Sequence, residues 1–249
     1  MISNVKLATA IQSTTLLAVA IIWYLAAASR WVSPLILPHP FAVVAKLVEL
    51  LGRPDTYHHL AVTIYEFTAA ILLALLIGIT VGIIAGTVRY IGELIEPLLL
   101  ALYAIPIIMA FPLCILFFGI GSLSKIAFAA LYAFFPIAIQ TMKGLRHVDR
   151  SLVRAAISMG AGRRQLLAKV MFPAAMPVIM TGVRLGAVLG LLSVVAGEML
   201  GALEGIGQKL SRSVEVFQSD EAFAWIMITI GLVTLVNISV GAVEKRYES

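Results

Sequence analysis

Two ionisable residues stand inside one long apolar run, "TGVRLGAVLGLLSVVAGEML": Arg184 and, fourteen positions later, Glu198. Charged side chains are expensive in hydrocarbon and mark solute or ion pathways by default. At 1.5 Å per helical residue the two lie about 21 Å apart, too far to pair along one helix. Arg184 either lines a path and attracts an anion, snorkels to a headgroup region, or satisfies carbonyls at a helix break. Glu198 precedes the Gly-rich "GALEGIGQ" and is read as part of an outer gate or as an interfacial carboxylate. Other chemistry finds little material. His58 and His59 are adjacent, so their rings diverge by about 100° on a helix, and with His147 they offer no zinc-type spacing. The single cysteine, Cys114, excludes an intrachain disulfide and a multi-cysteine metal site. Ser, His and Asp suggest no nucleophilic centre, and a phosphate-cradling G-x-x-x-x-G-K-[ST] is absent.

The surroundings of these residues are those of a membrane protein. The chain has 249 residues, 61% of them hydrophobic and only 12% charged, half the charge of an ordinary soluble domain. Six apolar runs reach the roughly twenty residues that a bilayer core requires: 8–28, 60–88, 94–118, 123–142, 178–200 and 222–243. Arg30 and Trp31 suit an interface at the end of the first. Pro106 and Pro112 interrupt the third. Between the first two runs, "LPHPFAVVAKLVELLGR" places Phe41, Val44, Leu47, Val48 and Leu51 on one helical stripe, an interfacial helix too short to cross, with His39 as a loop or cap residue. The expected fold class is therefore all-α, a single membrane domain of about six spans.

Lysine and arginine placement orients it. With both termini on one side, that side holds eleven (Lys6, Arg89, Lys143, Arg146, Arg150, Arg154, Arg163, Arg164, Lys169, Lys245, Arg246) and the other six (Arg30, Lys46, Arg53, Lys125, Lys209, Arg212). The richer side is cytoplasmic. The net charge of +5 says little by itself, since membrane proteins commonly hold Lys and Arg at cytoplasmic loops, and it does not imply nucleic-acid binding. Ala70, Ala74, Gly78, Gly82 and Gly86, and again Gly182, Gly186 and Gly190, recur every four residues, small faces that let helices approach closely in lipid. Pro106 and Pro136 mark a cavity wall, since proline frees carbonyls that neighbours or water must satisfy. Tyr103, Phe134 and Gln140 lie beside them as candidates for the translocation path, together with Arg184 and Glu198.

One cytoplasmic loop differs in composition from every other. "RAAISMGAGRRQLLAKVMFPAAMP" places Leu152, Ala156, Met159 and Arg163 near one helical face, with Ala155 and Gly160 keeping the surface slim. Gly160 and Gly162 permit a bend, a second short helix follows through Leu166 and Val170, and Pro173 suits a fresh helix start. Such a face is built either to enter a groove on another protein or to rest on headgroups.

The pattern Ala155-Ala156, Gly160 and Phe172-Pro173 resembles the "EAA" loop of permease subunits of ABC importers, with Arg154 where the motif has glutamate. "LPHPFAVVAKLVELL", "FFGIGSLSKIAFAALYAFFPI", "GLRHVDRSLVRAAISMGAGRRQLL", "FPAAMPVIMTGVRLG" and "GEMLGALEGIG" resemble successive blocks of the nitrate/sulfonate/taurine branch. The resemblance implies a type I importer-like permease in a bacterial inner membrane, working as a homodimer with two cytoplasmic ATPase subunits and an extracytoplasmic binding protein. It implies that the 143–173 loop is a coupling helix, with Arg154, Ala155, Ala156, Met159, Gly160, Arg163 and Pro173 facing the ATPase. ATP and Mg would be bound by that partner, and this chain would hold no cofactor. Because "TGVRLG" is a general family block, Arg184 is read first as structural. Similar permeases serve nitrate, bicarbonate, sulfonates, taurine, aromatic acids and vitamin precursors, so a small, anionic solute is expected. The rival reading is a self-sufficient secondary transporter or channel, for which Arg184, Glu198 and Glu66 are the available relay groups.

Overall fold

The structure, a computed structural model, describes residues 2–29 and 32–247. Arg30 and Trp31, the expected interface pair, lie outside the described residues. Every regular element among the described residues is helical: α1 (Ile2–Ala28), α2 (Pro40–Leu51), α3 (Pro54–Thr87), α4 (Arg89–Tyr103), α5 (Phe111–Phe118), α6 (Ser122–Arg146), α7 (Arg150–Ser158), α8 (Arg163–Leu166), α9 (Phe172–Met199), α10 (Ile206–Glu215) and α11 (Ser219–Glu244). Among them α3, α6, the continuous rod Arg163–Met199 and α11 are long and apolar enough to cross a membrane. α4 and the segment Ile108–Phe118 reach that length only as a pair bent by 91°. The expected third run is thus a broken one. Pro106 opens a short 3-10 turn and Pro112 sits in the first turn of α5, where its missing N–H costs nothing.

The rod Arg163–Met199 corrects the expectation of a new helix at Pro173. Residues Leu167–Met171 form a π turn that runs straight into α9. The wider i→i+5 spacing absorbs a residue that can neither donate to the ladder nor fit its regular turn.

Two compact units are distinguished. One comprises residues up to His58 with Lys209–Thr229. In it Trp23 donates to the Pro38 carbonyl at 3.1 Å and stacks on Phe223 at 5.7 Å. Thr56 donates to the Leu50 carbonyl at 2.7 Å, and Lys209 pairs with Asp55 at 2.7 Å. His39 is the N-cap of α2, set between the rings of Tyr24 and Phe41. The face of α2 that packs inward is Val43 and Leu50, while Phe41, Val44, Val48 and Leu51 of the predicted stripe stay exposed.

The second unit, His59–Gln208 with residues from Ile230 on, holds the helical core. α6 is its axis, and the two small stripes explain why. Gly78, Gly82 and Gly86 of α3 lie against Ile137, Thr141 and Leu145, in ascending order, so α3 runs parallel to α6. Gly182, Gly186 and Gly190 of α9 lie against Gln140, Ala133 and the Ala129–Ala133 turn in descending order, so α9 runs antiparallel. A Cβ at Gly82 would stand 2.8 Å from the Ala138 carbonyl oxygen, and one at Gly186 2.8 Å from that of Ala133. These directions bring Thr87, Arg146 and Phe172 to one end of the core, here the loop end. Thr63, Glu66, Lys125 and Glu198 lie at the far end.

Candidate functional site

The loop end carries α7. Its N-cap is Asp149, whose carboxylate accepts the Ser151 N–H at 2.8 Å. That bond holds the Asp149 carboxyl below the usual aspartate range. At the other end the Ala161 N–H reaches the Ala156 carbonyl at 3.0 Å and the Gly160 N–H reaches that of Ile157 at 2.9 Å. This paired closure needs a left-handed residue, and Gly160 supplies it at φ +80°. Gly162, by contrast, has an ordinary φ of −72° and caps α8. α7 is therefore a closed unit of nine residues whose ends are satisfied locally.

The predicted face divides. Ala156 is buried at 3% exposure, whereas Leu152, Ile157 and Met159 are 49%, 57% and 81% exposed. A methyl side chain suits the contact that seats a short helix, and the larger apolar residues around it remain uncovered. Arg154, Ala155, Gly160, Arg163 and Pro173 are also exposed.

At the far end, Glu198 is buried at 1% exposure. The Thr63 hydroxyl donates to one carboxylate oxygen at 2.7 Å and the Gly207 N–H to the other at 2.8 Å. Thr63 Oγ1 in turn accepts the Ile206 N–H at 3.1 Å, and His59 Nδ1 accepts that of Gly205 at 3.0 Å. The three successive amides that open α10 are all captured by side chains of α3 and α9. A Cβ at Gly205, which sits at φ +113°, would collide with the Glu198 carboxylate, and one at Gly207 with the Val195 carbonyl. Three residues on from Thr63, Glu66 of α3 forms an ion pair with Lys125 of α6 at 2.5 Å, with 0% and 6% side-chain exposure.

Arg184 faces α11. Its Nε donates to Asn237 Oδ1 at 2.8 Å and its Nη1 to Glu244 at 3.1 Å, while Thr181 donates to the other Glu244 oxygen at 2.8 Å. Its charge is thus matched by a nearly buried carboxylate. Tyr103 and Phe134 both pack on the cluster of Leu99, Phe135, Ala138 and Ile139, with Tyr103 and Phe135 rings 5.8 Å apart. Pro106 is exposed at the bend, and Gln140 lies against Gly182. Of the six path candidates, only Tyr103 and Phe134 share a cluster; Gln140, Arg184 and Glu198 belong to separate surroundings.

The sequence offered no sign of Thr63, His59, Gly207, Lys125, Asn237 or Glu244 as partners. Glu66 was visible as a carboxylate in an apolar run, but Lys125 lies fifty-nine positions away and reads alone as a loop charge.

The profile of the family described as "binding-protein-dependent transport system inner membrane component" matches residues 78–249. The chain belongs to this family. It is 32% identical over 237 residues to the taurine transport system permease protein TauC of Escherichia coli (strain K12), covering 93% of this chain and 86% of that one. It is also 32% identical over 225 residues to the putative aliphatic sulfonates transport permease protein SsuC of Bacillus subtilis (strain 168), covering 90% and 82%. Among solved structures, the inward-facing MetNI methionine ABC transporter shares the fold at a TM-score of 0.70 and 18% identity, over 79% of this chain and 99% of the matched one. The chain is an integral-membrane permease subunit of an ABC importer, of the nitrate/sulfonate/taurine branch. It is a transport component and not an enzyme, and its family membership implies an ATPase and a binding protein as partners.

Proposed function

We propose that this permease works as a homodimer in a bacterial inner membrane, with two cytoplasmic ATPase subunits that bind ATP and Mg. A binding protein outside delivers the solute. Both termini lie in the cytoplasm, and the six spans are α1, α3, the bent pair α4–α5, α6, the rod ending in α9, and α11. α7 is the coupling helix. The observation that carries this is its apolar surface: Leu152, Ile157 and Met159 stay uncovered on a helix capped at both ends. A rigid helix that presents apolar side chains without a partner in its own chain suits a groove on another protein.

The solute is small and bears an anionic group, as a sulfonate, taurine or nitrate does. Support comes from the taurine and sulfonate permeases among the relatives. Arg184, neutralised by Glu244, serves to tie α9 to α11, so selectivity rests on the binding protein more than on a charged path.

The test is expression with and without the ATPase encoded beside it, purification through a tag on this chain, and measurement of ATP hydrolysis. Co-purification, with hydrolysis raised by the loaded binding protein, is the expected result. Solute movement in vesicles by the chain alone would establish the secondary-transporter reading in its place. Mass spectrometry of the ligand retained by the binding protein then decides the solute, and a ligand with no sulfonate, nitrate or other anionic group would refute this reading.

A further inference from the structure

Between the loop ends of α3, α4 and α6 and the start of α7 lies a cavity of about 440 Å³, lined by Arg89, Glu93, Arg146, Arg150, Val153 and Met171 among others. Arg146 is held in place on one wall. Its Nη1 contacts Glu96 at 2.6 Å and its Nη2 the Ala85 carbonyl at 3.4 Å, and the guanidinium lies against Gly92, where no Cβ would fit. A guanidinium has five N–H donors, so these two contacts leave others for the cavity. Arg89 pairs with Glu93 at 2.8 Å. Arg150 opens α7 and, among the described residues, forms no ion pair. Three guanidinium groups against the carboxylates of Glu93 and Glu96 leave one positive charge in excess. α4 begins beside the cavity after Val88, with no side-chain cap to match its positive end.

We propose that this cavity is a binding site for one singly charged phosphate group, with Arg150 and Arg146 as its ligands. The fork of N–H donors on arginine matches phosphate oxygens, and basic pockets between spans on the cytoplasmic side take anionic lipid headgroups. The size suits a phosphodiester headgroup, and a free phosphate offers the same chemistry. A ligand there would brace α7, through Arg150 and Val153, against α6 and the π turn at Met171. Only the step from this bracing to ATP hydrolysis rests on reading α7 as the coupling helix; binding itself does not.

The full chain, alone and with its ATPase, is placed in nanodiscs of phosphatidylcholine with or without phosphatidylglycerol. Native mass spectrometry counts the phosphatidylglycerol retained through delipidation, and calorimetry follows inorganic phosphate. Wild type is expected to retain one phosphatidylglycerol per chain, with retention falling roughly tenfold or more in Arg150→Gln. Arg150→Lys should recover part of it. Val153→Phe fills the cavity without touching its charge and should lose the lipid as well. Arginine-dependent phosphate heat without lipid retention assigns the site to a free anion. Retention equal to wild type in both Arg150→Gln and Val153→Phe, with no Arg150-dependent phosphate heat, overturns the proposal. Failure of the chain to hold an ATPase would refute the coupling role and leave the lipid count intact.

Discussion

Replacing Lys125 by methionine isolates the buried ion pair. The Lys125 ammonium and the Glu66 carboxylate meet at 2.5 Å with 6% and 0% side-chain exposure, so neither is compensated by water. Methionine keeps most of the volume and removes the charge, leaving the Glu66 carboxylate stranded. Breaking a buried pair in this way costs about 3–5 kcal/mol. For a chain of this size about 1 kcal/mol moves a melting midpoint by roughly 2–4 °C, so Lys125→Met should melt roughly 6–20 °C below wild type in detergent. Glu66→Leu alone strands the ammonium and should fall in the same range. The double variant replaces the pair with apolar side chains, which is often neutral or stabilising. It should therefore recover most of the loss. A thermal melt followed by size-exclusion fluorescence gives all four corners of the cycle. Additive losses, with the double variant as unstable as the sum of the singles, would show that the two charges do not sustain each other, and the pairing would be refuted.

Other predictions use different parts of the core. Gly82→Ala and Gly186→Ala push a methyl onto backbone carbonyls 2.8 Å away, which cannot step aside, and should each cost about 1–3 kcal/mol in a melt. Gly231→Ala, with no atom within 4 Å, is the control that should melt as wild type. Gly160→Ala meets no clash but must hold φ +80°, a local cost of about 1–2 kcal/mol. It should insert, melt roughly 2–8 °C lower at most and couple less well, and Gly160→Asp should abolish uptake; normal ATP-driven uptake by the aspartate variant would sink the coupling role. Asp149 is held below its usual range by Ser151, so its contribution to α7 is complete above the unfolded aspartate value and is lost as pH falls through the lower folded one. Amide exchange of α7 should therefore show no titration step between about pH 5 and 8. Asp149→Asn should retain protection and Asp149→Ala should lose it.

Several features were legible because they depend only on local spacing. A residue every four positions must lie on one helix face, so the stripes Gly78–Gly82–Gly86 and Gly182–Gly186–Gly190 announced close packing. Proline cannot donate to a helix ladder, so Pro106 announced a break, and glycine between two short helices announced the turn at Gly160. Local rules also misled at Pro173. They treat proline as a start, whereas a π turn upstream let the rod continue through it. On α7 the periodicity grouped Leu152, Ala156 and Met159, yet only Ala156 is covered.

What the sequence by itself determined is therefore the apolar length, the period and the breaks of each helix, because backbone hydrogen bonding and hydrophobic burial act over a few neighbouring residues. Only the tertiary structure decided the partners. Both stripes pack on α6 from different sides, one parallel and one antiparallel, and this brings Thr63 to Glu198 across 135 positions and Arg184 to Glu244 across sixty. A side chain's charge is written in its own codon, but whether it is paired, buried or left to meet a ligand depends on which helices the packing sets beside it.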